Sequence, residues 1–206
     1  MEDVLEVYHR PYDPAYPVVC MDESNKQLVA DIVRPIPCAP GKPKRIEHEY
    51  MRKGVAEIFM AIEPLTGTVA SRITETRTRK DWAEFIKYLL ECRYPAAKKV
   101  VLVMDNLNTH GIASLYTAYP PEEALRLSKR LEIHYTPKRG SWLNIAEIEL
   151  SALSVQCLER RFEDIATLAT EVAAWEAQRN ARRRPVKWQF KTSDARIKLK
   201  SIYPQI

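Results

Sequence analysis

Residues 100–110 read Val-Val-Leu-Val-Met-Asp-Asn-Leu-Asn-Thr-His: five apolar residues in a row, then a carboxylate and a turn. A short continuous run of this kind predicts a strand covered on both faces, as in a sheet with helices on either side. Asp105 stands at the end of that strand, where an open α/β sheet projects side chains into its ligand crevice. An aspartate at this place can equally cap a helix or close a turn.

Reading outward from that strand, the pattern alternates. Upstream, Trp82, Phe85, Ile86, Leu89 and Leu90 fall at helical spacing within Asp81–Cys92, and Pro95 ends the helix. Before it, Val55–Ile62 and Thr68–Ile73 flank Glu63-Pro64-Leu65-Thr66-Gly67 and predict a β-hairpin. The four prolines and Gly41 of Arg34–Pro43 predict a loop. Val18–Met21 is a further short strand ending in Asp22, and the Pro- and Tyr-rich residues 1–16 read as a surface arm. Downstream come a helix from Pro121 to Arg130, a strand Leu131–Tyr135 and a turn Thr136–Ser141. Ser141 is a suitable N-cap for a helix through Arg160, and Ile165–Arg179 is an amphipathic helix. This order predicts a mixed α/β domain whose sheet begins antiparallel and continues through crossovers.

A chain of 206 residues fits one domain and needs no disulfide or structural metal to fold. With 46% hydrophobic and 29% charged residues, general disorder is excluded. The first ten residues open with acids and lack an apolar core, so they are no secretory signal. The apolar run at 100–104 is too short to span a bilayer. A soluble protein of the cytoplasm, with no membrane partner, is expected. Cys20, Cys38, Cys92 and Cys157 are scattered, which supports neither a zinc ribbon nor a disulfide framework. His48-Glu49 begins like a zinc-protease helix, but Arg52 stands where the second histidine belongs. No G-x-x-x-x-G-K-[ST] loop is present to cradle a nucleotide.

The net charge of +5 is unevenly placed. Between Arg179 and Lys200, nine Lys or Arg residues face one acid, Asp194, so the remainder of the chain is net acidic. A second basic cluster comprises Arg34, Lys42, Lys44, Arg45, Arg52 and Lys53. Two such patches suit a polyanion, DNA or RNA, although a charge run can also be no more than a solvated surface.

Three acids stand out as candidate ligands: Asp22, Asp105 and Glu147. On a helix from Ser141, Glu147 shares a stripe with Leu143, Leu150 and Ser154, whereas Glu149 points nearly the opposite way. A carboxylate on an apolar face needs a partner, which could be a buried arginine. If the three acids converge, they form an oxygen-lined site for Mg²⁺ or Mn²⁺. Two such ions about 3.5–4 Å apart suit in-line attack at phosphorus.

The segments Cys20–Ser24, Val103–His110 and Tyr135–Glu147 resemble, in order, the three signature blocks of DDE transposases, in particular the bacterial IS630 branch of the IS630/Tc1/mariner superfamily. The resemblance covers roughly residues 18–190. It implies an RNase H-like fold, a five-stranded mixed sheet flanked by helices, over residues 17–181, followed by a basic C-terminal segment, 182–206. By it Asp22, Asp105 and Glu147 are catalytic and hold two Mg²⁺ or Mn²⁺ ions. Ile145-Ala146 replaces the family's usual Pro-Ile. The 42 positions from Asp105 to Glu147 exceed the family's usual spacing, which places an inserted loop at residues 116–123 and leaves Glu149 as the alternative third ligand.

Around these acids, Asn106 and His110 are candidates to orient the scissile phosphate or a ligand, or else to cap the next helix. Lys138 and Arg139 are candidate phosphate contacts, as are Arg182, Arg183, Arg184 and Lys187 along the basic segment. Trp142, flanking the glutamate with Asn144, could stack on a base or belong to the core. The implied activity is metal-dependent DNA strand cleavage and transfer, on transposon ends and on target DNA at a TA dinucleotide, by a homodimer in the active complex. Only 21 residues precede Asp22, too few for the helix-turn-helix domain that such proteins carry, so end recognition is expected from a separate polypeptide. The alternatives are an RNase H-like nuclease that only hydrolyses, and a decayed or domesticated copy that binds DNA without catalysis. A bacterial, nucleoid-associated location follows from the same resemblance.

Overall fold

A five-stranded mixed sheet forms the centre of the structure, a computed structural model that describes residues 1–138 and 140–203, Ile202 by its backbone alone. Strands β1 (Val18–Asp31), β2 (Tyr50–Glu63) and β3 (Thr68–Thr74) make an antiparallel meander. Strands β4 (Val100–Met104) and β5 (Leu131–Tyr135) then add in parallel on the β1 side, giving the order β3-β2-β1-β4-β5. The sheet has a hydrophobic layer on each face. Val100, Leu102 and Met104 of β4 join the first, and Val101 and Val103 the second, so all five residues are buried. That is the physical content of the unbroken apolar run.

The first layer is covered by α2 (Arg79–Tyr88), extended by a π-helical turn Leu89–Arg93, with α3 (Ile112–Ala118) and α4 (Pro121–Ser128). Thr78 caps α2 reciprocally with Asp81, each side chain accepting the other's backbone N–H. The second layer is covered by α1 (Glu2–Tyr8), α5 (Ala146–Leu153), α6 (Ile165–Arg182) and α7 (Thr192–Lys198). Asp164 caps α6 by accepting the Thr167 N–H at 2.7 Å.

Four expectations are corrected. β1 does not stop at Met21. It runs on to Asp31, paired on that stretch with β2, where half-exposed polar side chains are tolerated because only one face needs covering. Residues 2–8 are not a surface arm but a helix that buries Val4, Leu5, Val7 and Tyr8. Residues 116–123 are not an inserted loop, for α3 and α4 fill that stretch with only Tyr119 and Pro120 between them. The third helix begins at Ala146 rather than after Ser141, because residues 141–143 close a separate 3₁₀ turn first.

The basic segment after α6 is laid over the domain. Arg183 turns the chain in the left-handed region (φ 39°), and the Val186 N–H donates to the Pro64 carbonyl at 2.7 Å. Gly67 is required there twice over: its φ is 68°, and a Cβ would meet the Arg184 backbone at 2.5 Å. Trp188 then packs on Tyr8, and α7 docks on α1 through a bidentate Arg196–Glu2 pair at 2.7 and 2.8 Å. The free edge of β3 is closed by α6, whose Asn180 accepts from Val69 N–H (2.7 Å) and donates to its carbonyl (2.9 Å). Among the described residues, no helix is long and apolar enough to cross a membrane.

Candidate active site

Strand register brings the first two acids together. β1 and β4 pair in parallel up to Cys20 and Val103, and Asp22 and Asp105 each lie two residues further on. Both side chains therefore leave the sheet on the same face, at the point where β4 ends and β1 continues. Glu147 arrives from α5, in whose first turn it sits half-buried. Burial pushes the Asp22 carboxyl up to about 6; the Glu23 N–H, donated to its Oδ1 at 2.9 Å, opposes this, while the charges of Asp105, Glu23 and Glu147 add to it. The charges of Asp105 and Glu147 thus both reach Asp22.

Glu149 is elsewhere. Only 1% exposed, it receives Arg179 Nε at 2.7 Å and Nη2 at 2.5 Å from α6. The expectation that Glu147 faces the core and Glu149 the opposite side is reversed. Because α5 starts at Ala146, the stripe counted from Ser141 is not continuous helix, and the buried ion pair weighed for Glu147 belongs to Glu149. Glu149 is committed to an internal pair and is not the alternative ligand.

Asn144 joins the two carboxylate-bearing elements. Its Nδ2 donates to the Met21 carbonyl (2.8 Å) and to Asp22 Oδ2 (3.2 Å), while its Oδ1 accepts the Ala146 N–H (3.2 Å). It is buried and does not face solvent as a nucleic-acid contact would.

His110, also buried, lies between Asp105 Oδ1 at 2.5 Å from Nδ1 and Glu23 Oε1 at 2.5 Å from Nε2. Burial alone would lower its pKa, but the hydrogen bonds to Asp105 and Glu23 carry it up to about 9, so the ring is an imidazolium held between two carboxylates. Trp82 stacks on it, ring centroids 6.2 Å apart. The sequence reading passed over Glu23. The signal was there: strand alternation turns it away from Asp22, onto the apolar face shared with Val19 and Met21, where an unpaired acid is costly.

The remaining predicted residues are not all at this centre, for the Arg184 backbone lies against Gly67 at the β2–β3 hairpin. Asn106 and Lys138 are exposed, and Arg139 lies outside the described residues. Trp142 is 46% exposed and packs against Trp188 and Phe190 of the C-terminal segment. Arg182, Arg183, Arg184 and Lys187 are exposed.

The donor chemistry fits a divalent metal. Asp22, Asp105 and Glu147 offer oxygens alone, the charges of the latter two reach Asp22, and such donors suit hard cations of the Mg²⁺ and Mn²⁺ type. Glu23, Asp105 and His110 also cluster within ligand distance, but both His110 nitrogens are already engaged by the two carboxylates.

A mixed sheet of this order, with one carboxylate within β1, another just past the end of β4 and helices on both faces, defines an RNase H-like domain. The sequence model of the DDE superfamily endonuclease family matches residues 17–169, and the chain belongs to that family. Among solved structures, it is similar to the Mos1 mariner paired end complex with Mn, with 19% identity and a TM-score of 0.54 over 88% of this chain and 55% of that one. It is similar also to the Mos1 strand transfer complex, with 18% identity and a TM-score of 0.56 over 85% of this chain and 51% of that one. The Mos1 transposase paired-end complex with left transposon end gives 18% identity and a TM-score of 0.55 over 85% of this chain and 53% of that one. This likeness is one of fold, and the chain spans about half the length of these structures. No curated protein sequence matches the chain.

Proposed function

We propose that this domain is the catalytic part of a DDE transposase, which cuts a DNA strand at an element end and joins the freed 3′-OH to target DNA. The observation that carries this reading is the parallel register that sets Asp22 beside Asp105, with the charge of Glu147 reaching Asp22. In this reading Asp22, Asp105 and Glu147 hold two Mg²⁺ or Mn²⁺ ions. Such ions, when bound, lower the pKa of a water or hydroxyl and offset the charge developing at phosphorus.

The protein's own residues supply position. Asn144 fixes the Asp22 carboxylate relative to α5. The Glu23–His110 pair turns Asp105 Oδ1 toward the imidazolium and leaves Oδ2 for the ligand side. In this reading exposed Lys138 and Trp142 flank the turn before Glu147, where they contact phosphates and bases without reading sequence. Arg182, Arg183, Arg184 and Lys187, laid beside Gly67 and Pro64 at the hairpin end of the sheet, grip the duplex backbone farther from the cut. End recognition by a separate helix-turn-helix polypeptide, action as a homodimer, a TA target and a bacterial cytoplasmic setting belong to the same proposal.

The test uses a supercoiled plasmid and a labelled duplex with a pre-cut 3′-OH end, each with Mn²⁺ or Mg²⁺. The expected results are nicked plasmid and joined products, both lost in Asp105→Asn with DNA binding retained. Nicking without joining assigns a hydrolytic nuclease. Equal nicking by wild type and Asp105→Asn overturns the assignment of the carboxylates.

A further inference from the structure

We infer that Tyr8, from the N-terminal helix, is a positioning residue that sets the separation between the strand carrying Asp22 and the turn carrying Glu147. The inference rests on the assignment of those two acids as metal ligands. The Tyr8 hydroxyl donates to the Leu143 carbonyl at 2.5 Å and accepts the Ile145 N–H at 3.5 Å. Neither of those backbone groups has another partner among the described residues, since the 3₁₀ turn ends at Leu143 and α5 begins at Ala146. The same hydroxyl receives Cys20 Sγ at 3.4 Å from β1. Cys20 lies two residues before Asp22, and Ile145 two residues before Glu147, so one oxygen ties together the stems of both ligands.

The arrangement is built on three sides. Tyr8 is held by α1, whose Val4, Leu5 and Val7 are buried in the same layer. Its ring is covered by Trp188, with centroids 5.2 Å apart, where the C-terminal segment crosses. Trp188 in turn stacks with Trp142, the middle residue of the 3₁₀ turn. A phenylalanine would fill the same apolar volume, so packing alone does not require the hydroxyl. Its presence in a buried place, with donor and acceptor both used, marks it as fixing geometry. The two chain ends, which lie outside the five-stranded frame, thereby meet at the loop that delivers the third acid.

The experiment compares wild type, Tyr8→Phe and Trp188→Leu in Mn²⁺ binding, read from the signal of free Mn²⁺ in electron paramagnetic resonance, and in single-turnover cleavage. Tyr8→Phe is expected to weaken Mn²⁺ binding about 10–100-fold and to slow cleavage alike, with unchanged DNA affinity. Trp188→Leu, which removes packing but keeps the hydroxyl, is expected to lower the melting temperature while Mn²⁺ affinity stays within about threefold of wild type. Wild-type affinity in Tyr8→Phe, or equal loss in both variants, would overturn the inference. Hydrogen exchange on the unmodified protein tests it without any variant, and an Ile145 amide exchanging at an open-loop rate refutes it. Wild type that binds no Mn²⁺ sinks the carboxylate assignment, and this inference with it.

Discussion

Glu149 and Arg179 form a bidentate ion pair inside the second layer, joining α5 to α6 two residues beyond the glutamate assigned to the metal site. Under the proposed function, two acids of one helix turn thus have opposite duties: Glu149 holds the fold and Glu147 serves the metal site. Removing one partner of a buried pair leaves the other charge uncompensated. Glu149→Gln is expected to cost about 3–5 kcal/mol, a fall of about 6–20 °C in melting temperature. Glu147→Gln is expected to leave the melting temperature nearly unchanged and to abolish metal-dependent cleavage. Thermal denaturation beside a nicking assay checks both. Equal melting temperatures for the two variants would contradict the division of roles.

Asn144 makes three hydrogen bonds that no aliphatic side chain replaces. Asn144→Ala should slow cleavage about a hundredfold through misplacement of Asp22 against Glu147. Asn144→Asp should be worse, because it turns a donor to Asp22 into a second negative charge. Single-turnover rates with DNA affinity measured alongside separate this from lost binding.

The crowding of Asp22, Asp105 and Glu147 gives a measurable linkage to cations. Mn²⁺ at about a hundred times its dissociation constant should stabilise wild type by about 2.7 kcal/mol, since the ion binds the folded site alone. Asp105→Asn and Glu147→Gln should lose most of that gain, and Glu149→Gln should keep it. Thermal melts with and without Mn²⁺ decide the matter.

The docking of α7 on α1 should depend on acid. Hydrogen bonds from Arg196 and Tyr203 lower the Glu2 carboxyl from 4.5 to about 2. A carboxyl depressed in the folded state contributes stability above its ordinary pKa and loses it as the pH falls. The contact should therefore be intact above pH 4.5 and fade between about 4.5 and 2. Glu2 is at the surface, so added salt should weaken the contact at any pH. Tryptophan fluorescence of wild type against Glu2→Gln, followed through that range, reports on Trp188 as the segment lifts; coincident curves would refute the claim.

Much of the frame is legible in single stretches. The apolar run at 100–104, the hairpin around residues 63–67 and the helix ending before Pro95 can be read locally, because burial on two faces, on one face or on a stripe leaves different periods in the sequence. The short α1 and the polar continuation of β1 were not legible. Each owes its form to a partner far along the chain: the second core layer for Val4 and Leu5, and β2 for residues 23–31. Helical counting failed at Glu147 and Glu149 because it assumed one helix from Ser141, whereas a 3₁₀ turn and the Asn144 and Tyr8 hydrogen bonds reset the phase at Ala146.

By itself, the sequence determined that strands and helices alternate in an α/β domain and that the basic charge gathers in two places, while the five-stranded sheet and the three acids came from the resemblance of three blocks to a family. Periodicity and composition are local properties, and they survive without coordinates. Only the tertiary structure decided which glutamate pairs with Arg179, that Glu23 and His110 brace Asp105, and that Tyr8 and Trp188 converge on the turn before Glu147. Those outcomes depend on which groups meet across 30 residues (Glu149 and Arg179), 87 (Glu23 and His110) or 135 (Tyr8 and Leu143), where a single hydrogen bond or buried charge outweighs the local preference of any one segment.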